Sequence, residues 1–233
     1  MGRFGEFFAG IGLVREAIEP LGWSCKFAND IAHQKADMYT ARFGKEHLLV
    51  RDIHCVKAAD LPENLDLLTA SFPCIDLSLA GNRAGLAGDH SGTVWPFLEL
   101  VAELCRRRSP PSALLLENVT GFLSSHSGHD LNNVCARVGE LGYLVDLVIV
   151  DARWFTPQSR PRLFVLAIQK ETLADPLSPT GHTTRLRGGA IRRFQLAHPE
   201  LPFVELPLPE PPLRSTTTLV SILDDLVYSR INT

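Results

Sequence analysis

The chain has 233 residues, 45% of them hydrophobic, which is ample for one domain with a sizeable core and too short for two large ones. A formal net charge of −3 argues against a dedicated nucleic-acid-binding module, and no apolar run approaches the ~18 residues of a membrane span. Five cysteines (Cys25, Cys55, Cys74, Cys105, Cys135) without a C-x-x-C pair, and eight histidines without ligand spacing, exclude a disulfide framework and a metal site and fit a reduced, cytoplasmic setting. The start, Met1-Gly2-Arg3-Phe4, has no signal-peptide pattern and runs straight into a predicted strand over residues 4–8. A tight turn, Gly10-Ile11-Gly12, opens a helix over 13–21 that Gly22 ends. A strand over 24–29 leads to Asp30, a helix over 32–43 follows, and a short strand over 48–50 precedes Asp52. Residues 66–70 read as a buried strand that stops at Phe72-Pro73-Cys74. After a polar, glycine-rich stretch come a helix over 93–107, an apolar strand over 113–117 ending in Glu117, a helix over 131–141, and strands over 143–150 and 162–168.

Alternating helices and near-continuous apolar strands predict an α/β fold with a doubly wound, mostly parallel sheet. About eleven residues separate the last two strands, too few for a helical crossover, so they predict an antiparallel pair at the sheet edge. Residues 1–168 form the expected core and 169–233 an extension rich in proline, arginine and threonine. Its prolines, Pro199 to Pro212, predict an extended loop rather than a packed element, with a short helical pattern over 217–226. Two basic clusters stand out. Arg106-Arg107-Arg108 suits a helix end; Arg185, Arg187, Arg192 and Arg193 read as a loop that is either a solvated face or a basic patch.

Several strand ends carry groups fit for chemistry. Open α/β sheets keep their ligands at the carboxyl ends of inner strands, where Cys74 stands behind a proline that forces a bend. The plainer reading is a buried cysteine acting as a small hydrophobe. Phe8-Ala9-Gly10-Ile11-Gly12 lets the backbone approach a ligand at a helix N-terminus, and Asp30, twenty positions after Gly10, stands where an acid meets ribose hydroxyls. It is not the dinucleotide fingerprint, since the third glycine position holds Arg15. Together the turn and the acid suit an adenosine-containing cofactor; a plain turn with a surface aspartate is the alternative. Asp52 is either a contact to an adenine amino group or a loop cap. Glu117, in Glu117-Asn118-Val119, can hydrogen-bond a ring nitrogen or merely cap a helix. In Gln158-Ser159-Arg160-Pro161-Arg162 the two arginines alternate, so an extended segment points both to one side. Guanidiniums there can lower a thiol pKa and bind oxygens, or form surface ion pairs.

In this order and spacing these segments resemble the DNA cytosine-C5 methyltransferase family. The resemblance covers roughly the first 168 residues, and the Pro-Cys, Glu-Asn-Val and Gln-x-Arg-x-Arg series is specific to that family. It implies a class I, Rossmann-like methyltransferase fold, S-adenosylmethionine as cofactor and double-stranded DNA as substrate, with the target base flipped out and a place in restriction-modification. Carried over, Cys74 would attack C6 of cytosine, Glu117 would contact N3 and the exocyclic amine, and Arg162, supported by Arg160, would hold the base oxygen or the thiolate. The cofactor would lie over Phe8, Ala9, Gly10, Ile11 and Gly12, with Asp30 on the ribose, Asp52 on the adenine, and Ile31, Ile53 and Pro73 beside it. Ile75 stands where many relatives have glutamine after the cysteine. Full-length relatives continue into a target-recognition domain and return with an asparagine-bearing segment that closes the cofactor pocket. The chain stops at Thr233, about where that domain begins. The resemblance therefore implies a second polypeptide that supplies the rest, or a truncated remnant without independent activity. An RNA cytosine-C5 methyltransferase is the other alternative.

Overall fold

The computed structural model describes residues 1–73, 91–173, 179–213, 215, 217–219 and 221. Cys74 and the segment that follows it, and most of the predicted helical pattern over 217–226, lie outside the described residues. Five strands run parallel: β1 (Arg3–Phe7), β2 (Ser24–Asp30), β3 (Leu48–Val50), β4 (Leu67–Ala70) and β5 (Ala113–Val119). Two more, β6 (Tyr143–Asp151) and β7 (Pro161–Gln169), complete one seven-stranded sheet in the order β3-β2-β1-β4-β5-β7-β6. The antiparallel pair at the edge forms as expected. The reversed strand itself, β7, sits one place in from the rim, antiparallel to both β5 and β6.

Helices α1 (Leu13–Ile18), α2 (His33–Phe43), α3 (Val94–Arg106) and α4 (His129–Glu140) link the strands. The helix read over 13–21 divides: α1 ends at Ile18 and a 3-10 turn, Glu19–Leu21, continues to Gly22. Pro20 explains the break, since it has no N–H to continue the α ladder. On one side of the sheet Phe7 meets Phe27 and α3's Phe97 at ring distances of 5.2 Å. That core continues through the apolar stripe of α3 and α4's Leu131, Val134, Cys135 and Val138. A smaller cluster of Phe4, Cys25, Ala28 and Tyr39 packs α2 against β1 and β2. The chain runs outward from β1 to β3, then jumps back to β4 beside β1. The order reverses between β1 and β4, and such a reversal opens a crevice at the strands' carboxyl ends.

The extension corrects the sequence reading. It holds a helix, α5 (Gly189–Ala197), and packs along β6 rather than trailing as an unpacked loop. Leu186, Ile191, Phe194, Leu201 and Val204 are buried. Their apolar burial outweighs the prolines, which fall after the helix in the run where the backbone is indeed extended. That run follows the rim of the sheet: Val145 N–H donates to the Pro202 carbonyl (2.9 Å), and Val204 N–H to the Val145 carbonyl (2.9 Å). Two of the second cluster's four arginines, Arg187 and Arg192, are buried, while Arg193 stays exposed. Arg187 Nε donates to Asp146 Oδ1 at 2.9 Å, with Arg187 only 4% and Asp146 0% exposed. Asp146 also accepts the Leu206 N–H, and Arg192 pairs with Glu205.

Removing one partner of a buried pair leaves an uncompensated charge in the core. Asp146→Ala is therefore expected to cost about 3–5 kcal/mol in urea unfolding, while Asp146→Leu with Arg187→Met recovers most of the loss. Equal stability of the single and double variants would show that the pair does not hold the extension down.

Candidate active site

Strands β1, β4 and β5 lie side by side, with Phe7 in register with Ala70 and Ala70 with Leu116. β1 and β4 leave the sheet just beyond this row while β5 runs on to Val119 beside β7, and together they enclose a cleft of about 730 Å³. The turn after β1 forms one wall. Phe8 adopts φ +56°, a left-handed conformation costly for an aromatic residue. Hydrogen bonds hold it there: Ala9 N–H donates to the Asn29 carbonyl (2.9 Å), and Gly10 N–H to Asp30 Oδ2 (2.7 Å). Asp30 Oδ1 accepts the Ala32 N–H at 2.8 Å, so one carboxylate ties the turn to the start of α2. Gly12, at φ +86°, precedes α1, and a Cβ on it would lie 2.5 Å from Phe43 Cε2. Only glycine permits both that conformation and that approach.

Beneath the turn lies a buried carboxyl. Glu6 is fully buried, accepts a hydrogen bond from the Tyr39 hydroxyl (3.0 Å) through Oε1, and leaves Oε2 without a partner among the described residues. Burial pushes its pKa up to about 7, against the opposing pull of Tyr39 and the Arg15 backbone. Glu6 stands in register with Thr69 of β4, which faces the cleft and whose buried Oγ1 also lacks a partner among the described residues.

The opposite wall comes from β4, β5 and β7. Asn118 Nδ2 donates to the Phe72 carbonyl at 3.1 Å, and Asn118 Oδ1 accepts its neighbour's Val119 N–H at 2.8 Å. Phe72 is buried and meets Phe122 edge-to-face at 5.7 Å. The backbone and ring of Phe72, just before Pro73, are thus both held. Glu117 Oε1 lies 2.9 Å from Arg162 Nε, and Arg162 Nη1 also donates to the Pro161 carbonyl. Glu117 and Arg162 keep 26% and 19% of their side-chain exposure, so a ligand can reach both. Arg160 lines the cleft at its exposed rim. An acid braced by a guanidinium presents donors and acceptors side by side, the pattern that a flat ring with polar edges requires.

Of the residues expected on sequence grounds, Phe8, Ala9, Gly10, Ile11, Pro73, Glu117, Arg160 and Arg162 line this one cleft. Gly12, Asp30, Ile31, Asp52 and Ile53 are not among its lining residues. Asp30 and Gly12 support the turn from behind. Asp52 caps a 3-10 turn, accepting the His54 N–H at 2.9 Å, while Ile53 is core and Ile31 is 61% exposed. Cys74 lies outside the described residues. Sequence reasoning gave no part to Thr69, Asn118, Lys35 or the apolar α1 side chains Leu13, Val14, Ala17 and Ile18, all of which face the cleft. A polar Asn118 directly after Glu117 at the end of an apolar strand was the available signal.

Residues 2–227 match the family described as C-5 cytosine-specific DNA methylase. The chain is 39% identical over 173 residues to the type II methyltransferase M.HpaII of Haemophilus parainfluenzae, covering 72% of this chain and 46% of that enzyme. It is 31% identical over 172 residues to the type II methyltransferase M.MspI of Moraxella, covering 73% and 40% respectively. The chain thus spans under half the length of these curated relatives. Among solved structures, a Spodoptera frugiperda DNMT2 variant superimposes with a TM-score of 0.67 at 18% identity, over 97% of this chain and 60% of that one. At that identity the likeness speaks for the fold.

The Glu6 carboxyl supplies a pH test. Its folded pKa of about 7 lies above the ordinary 4.5. The folded state therefore holds a proton that the unfolded state releases between those values, and stability falls as pH rises through that window. The loss from this group is at most roughly 3 kcal/mol. Glu6→Gln is expected to flatten urea-unfolding midpoints between pH 5 and 8 relative to the parent; parallel curves would contradict the assignment.

Proposed function

The chain belongs to the C-5 cytosine-specific DNA methylase family, and on that premise we propose that it is the cofactor-binding and catalytic part of a DNA cytosine-C5 methyltransferase of a restriction-modification system, acting on double-stranded DNA in the cytoplasm. The observation that carries the reading is the single cleft shared by the glycine turn, Pro73, Glu117 and the arginine pair.

The residues present fit S-adenosylmethionine. The cleft has a volume typical of small-molecule sites. Its wall brings a turn that a nucleoside can approach closely, and its floor a Thr69 hydroxyl with no partner among the described residues. Asp30 spends one lone pair of each oxygen on a backbone N–H and retains others for ribose hydroxyls. Asp52, with Ile31 and Ile53, is the proposed boundary on the adenine side. When bound, the cofactor supplies an electrophilic methyl group on a sulfonium sulfur.

The chain's own groups carry the remaining chemistry. Cys74, next in sequence after Pro73, is the proposed nucleophile: its thiolate adds to C6 of a flipped-out cytosine, and the C5–C6 π pair moves to C5. Glu117 meets N3 and the exocyclic amine, stabilising the charge that reaches the ring. Arg162, braced by Glu117, holds the base oxygen, and Arg160 approaches from the rim. After C5 has gained the methyl group, a base removes the C5 proton; sulfur then leaves C6, restoring the double bond and the thiolate.

Helix α1 contributes no buried residue, and its apolar side chains face the cleft. A further segment, on a second polypeptide or elsewhere in the same protein, is the proposed cover for that face and the source of target recognition.

The test is incubation with methyl-labelled cofactor and a cytosine-containing duplex, with and without the C-terminal portion that relatives carry, and with an RNA duplex in parallel. Label in DNA, lost in Cys74→Ser, is the expected result, with activity rising when the missing portion is supplied. Absence of both label and covalent adduct in the completed protein would overturn the enzymatic reading; label in RNA alone would overturn the substrate.

A further inference from the structure

We propose that Asp151 is a positioning residue that sets the aim of Arg160 and Arg162 into the cleft. The proposal rests on the reading of that cleft as a cytosine methylation site. Asp151 ends β6 and pairs in register with Pro161, the first residue of β7. The next pair out, Ala152 with Arg160, keeps only one of its two ladder bonds at the end of the hairpin that carries both arginines: the Ala152 N–H donates to the Arg160 carbonyl, but the Ala152 carbonyl accepts the Phe155 and Thr156 N–H groups in place of the Arg160 N–H. Beyond it the chain crosses an exposed loop before returning as Ser159 and Arg160. A hairpin missing that bond frays from its tip, and here the tip leads into the functional pair.

The Asp151 side chain takes the place of the missing bond. It is 6% exposed. Its Oδ1 accepts the Arg160 N–H at 2.8 Å and the Arg153 N–H at 3.1 Å, and its Oδ2 accepts the Ser159 hydroxyl at 3.1 Å. The Ala152 N–H donates to the Arg160 carbonyl, closing a ring of bonds around residue 160. Burial alone would raise the Asp151 pKa, but the two backbone N–H groups and the hydroxyl hold it below the usual carboxylate range, so the acceptor stays charged at neutral pH. Its ion pair with Arg153 adds little, because that guanidinium is 65% exposed. The decisive contact is the one to the Arg160 backbone. Two residues on, Arg162 enters β7 opposite Val119 and reaches Glu117. Asp151 itself is not among the residues lining the cleft, so its effect runs through the residues it holds.

The experiment uses the protein completed with the C-terminal portion, and compares Asp151→Ala, Asp151→Asn and Ser159→Ala with the parent. Asp151→Ala is expected to lower kcat roughly 10- to 100-fold, the cost of a displaced catalytic group, while KM for the cofactor stays within about twofold. Asparagine keeps an acceptor for the Arg160 N–H and restores most of kcat; Ser159→Ala loses less than Asp151→Ala. Amide hydrogen exchange at Arg160 gives a readout independent of activity: protection is lost in Asp151→Ala and kept in Asp151→Asn. Unchanged protection in Asp151→Ala overturns the proposal whatever the kinetics. So does a kcat near that of the parent, a loss confined to cofactor KM, or asparagine no better than alanine. An inactive parent whose Arg160 protection nevertheless depends on Asp151 would sink the methylation reading while sustaining the positioning role.

Discussion

Parallel pairing of β1, β4 and β5 is the constraint from which the cleft follows. Register puts Phe7, Ala70 and Leu116 in one row, and two strand spacings separate the outer members by about 10 Å. Whatever follows that row is delivered to one small region. The glycine turn follows Phe7, Phe72 and Pro73 follow Ala70, and Glu117 follows Leu116. β7, antiparallel to β5, delivers its first residues to the same end. Hydrophobic burial stabilises the strands, but register determines which polar groups meet.

Buried polar side chains then do what the backbone cannot. Asn118 supplies a donor to the Phe72 carbonyl at the end of β4. Asp30 accepts from a turn whose glycines leave the ladder. Asp151 accepts the Arg160 N–H in place of the Ala152 carbonyl, and Asp146 gathers Arg187 and the Leu206 N–H where the extension meets the sheet. Each buried group is worth little net when satisfied and costs far more when its partner is removed. The walls of the cleft are therefore more sensitive to polar truncation than to small changes in apolar volume.

The sheet was legible in the sequence because its strands are short, apolar and separated by glycine- or proline-marked turns. The ends of those strands were legible too: Glu117, Arg160, Arg162 and the Phe8 to Ile11 turn meet in one cleft. Long-range polar pairing was not. Asp146 and Arg187 are 41 positions apart, and nothing local in either segment points to the other. The arginines around α5 looked like a loop because proline and glycine signals surround a helix of only nine residues. Glu6 sits in an apolar strand, and its partner Tyr39 lies 33 positions later, beyond any local signal. Asp52 stands at a strand end, and its carboxylate accepts the His54 N–H two residues on, a local cap of the kind that aspartate makes at such positions.

The covering of β6 has a consequence for how copies of this chain can stick together. At one rim of the sheet, residues 202–204 occupy backbone groups of Val145; at the other rim β3 is three residues long. Neither side offers the long row of free amides that templates fibril growth. Self-association is thereby steered towards greasy side chains around α1 rather than towards cross-β stacking.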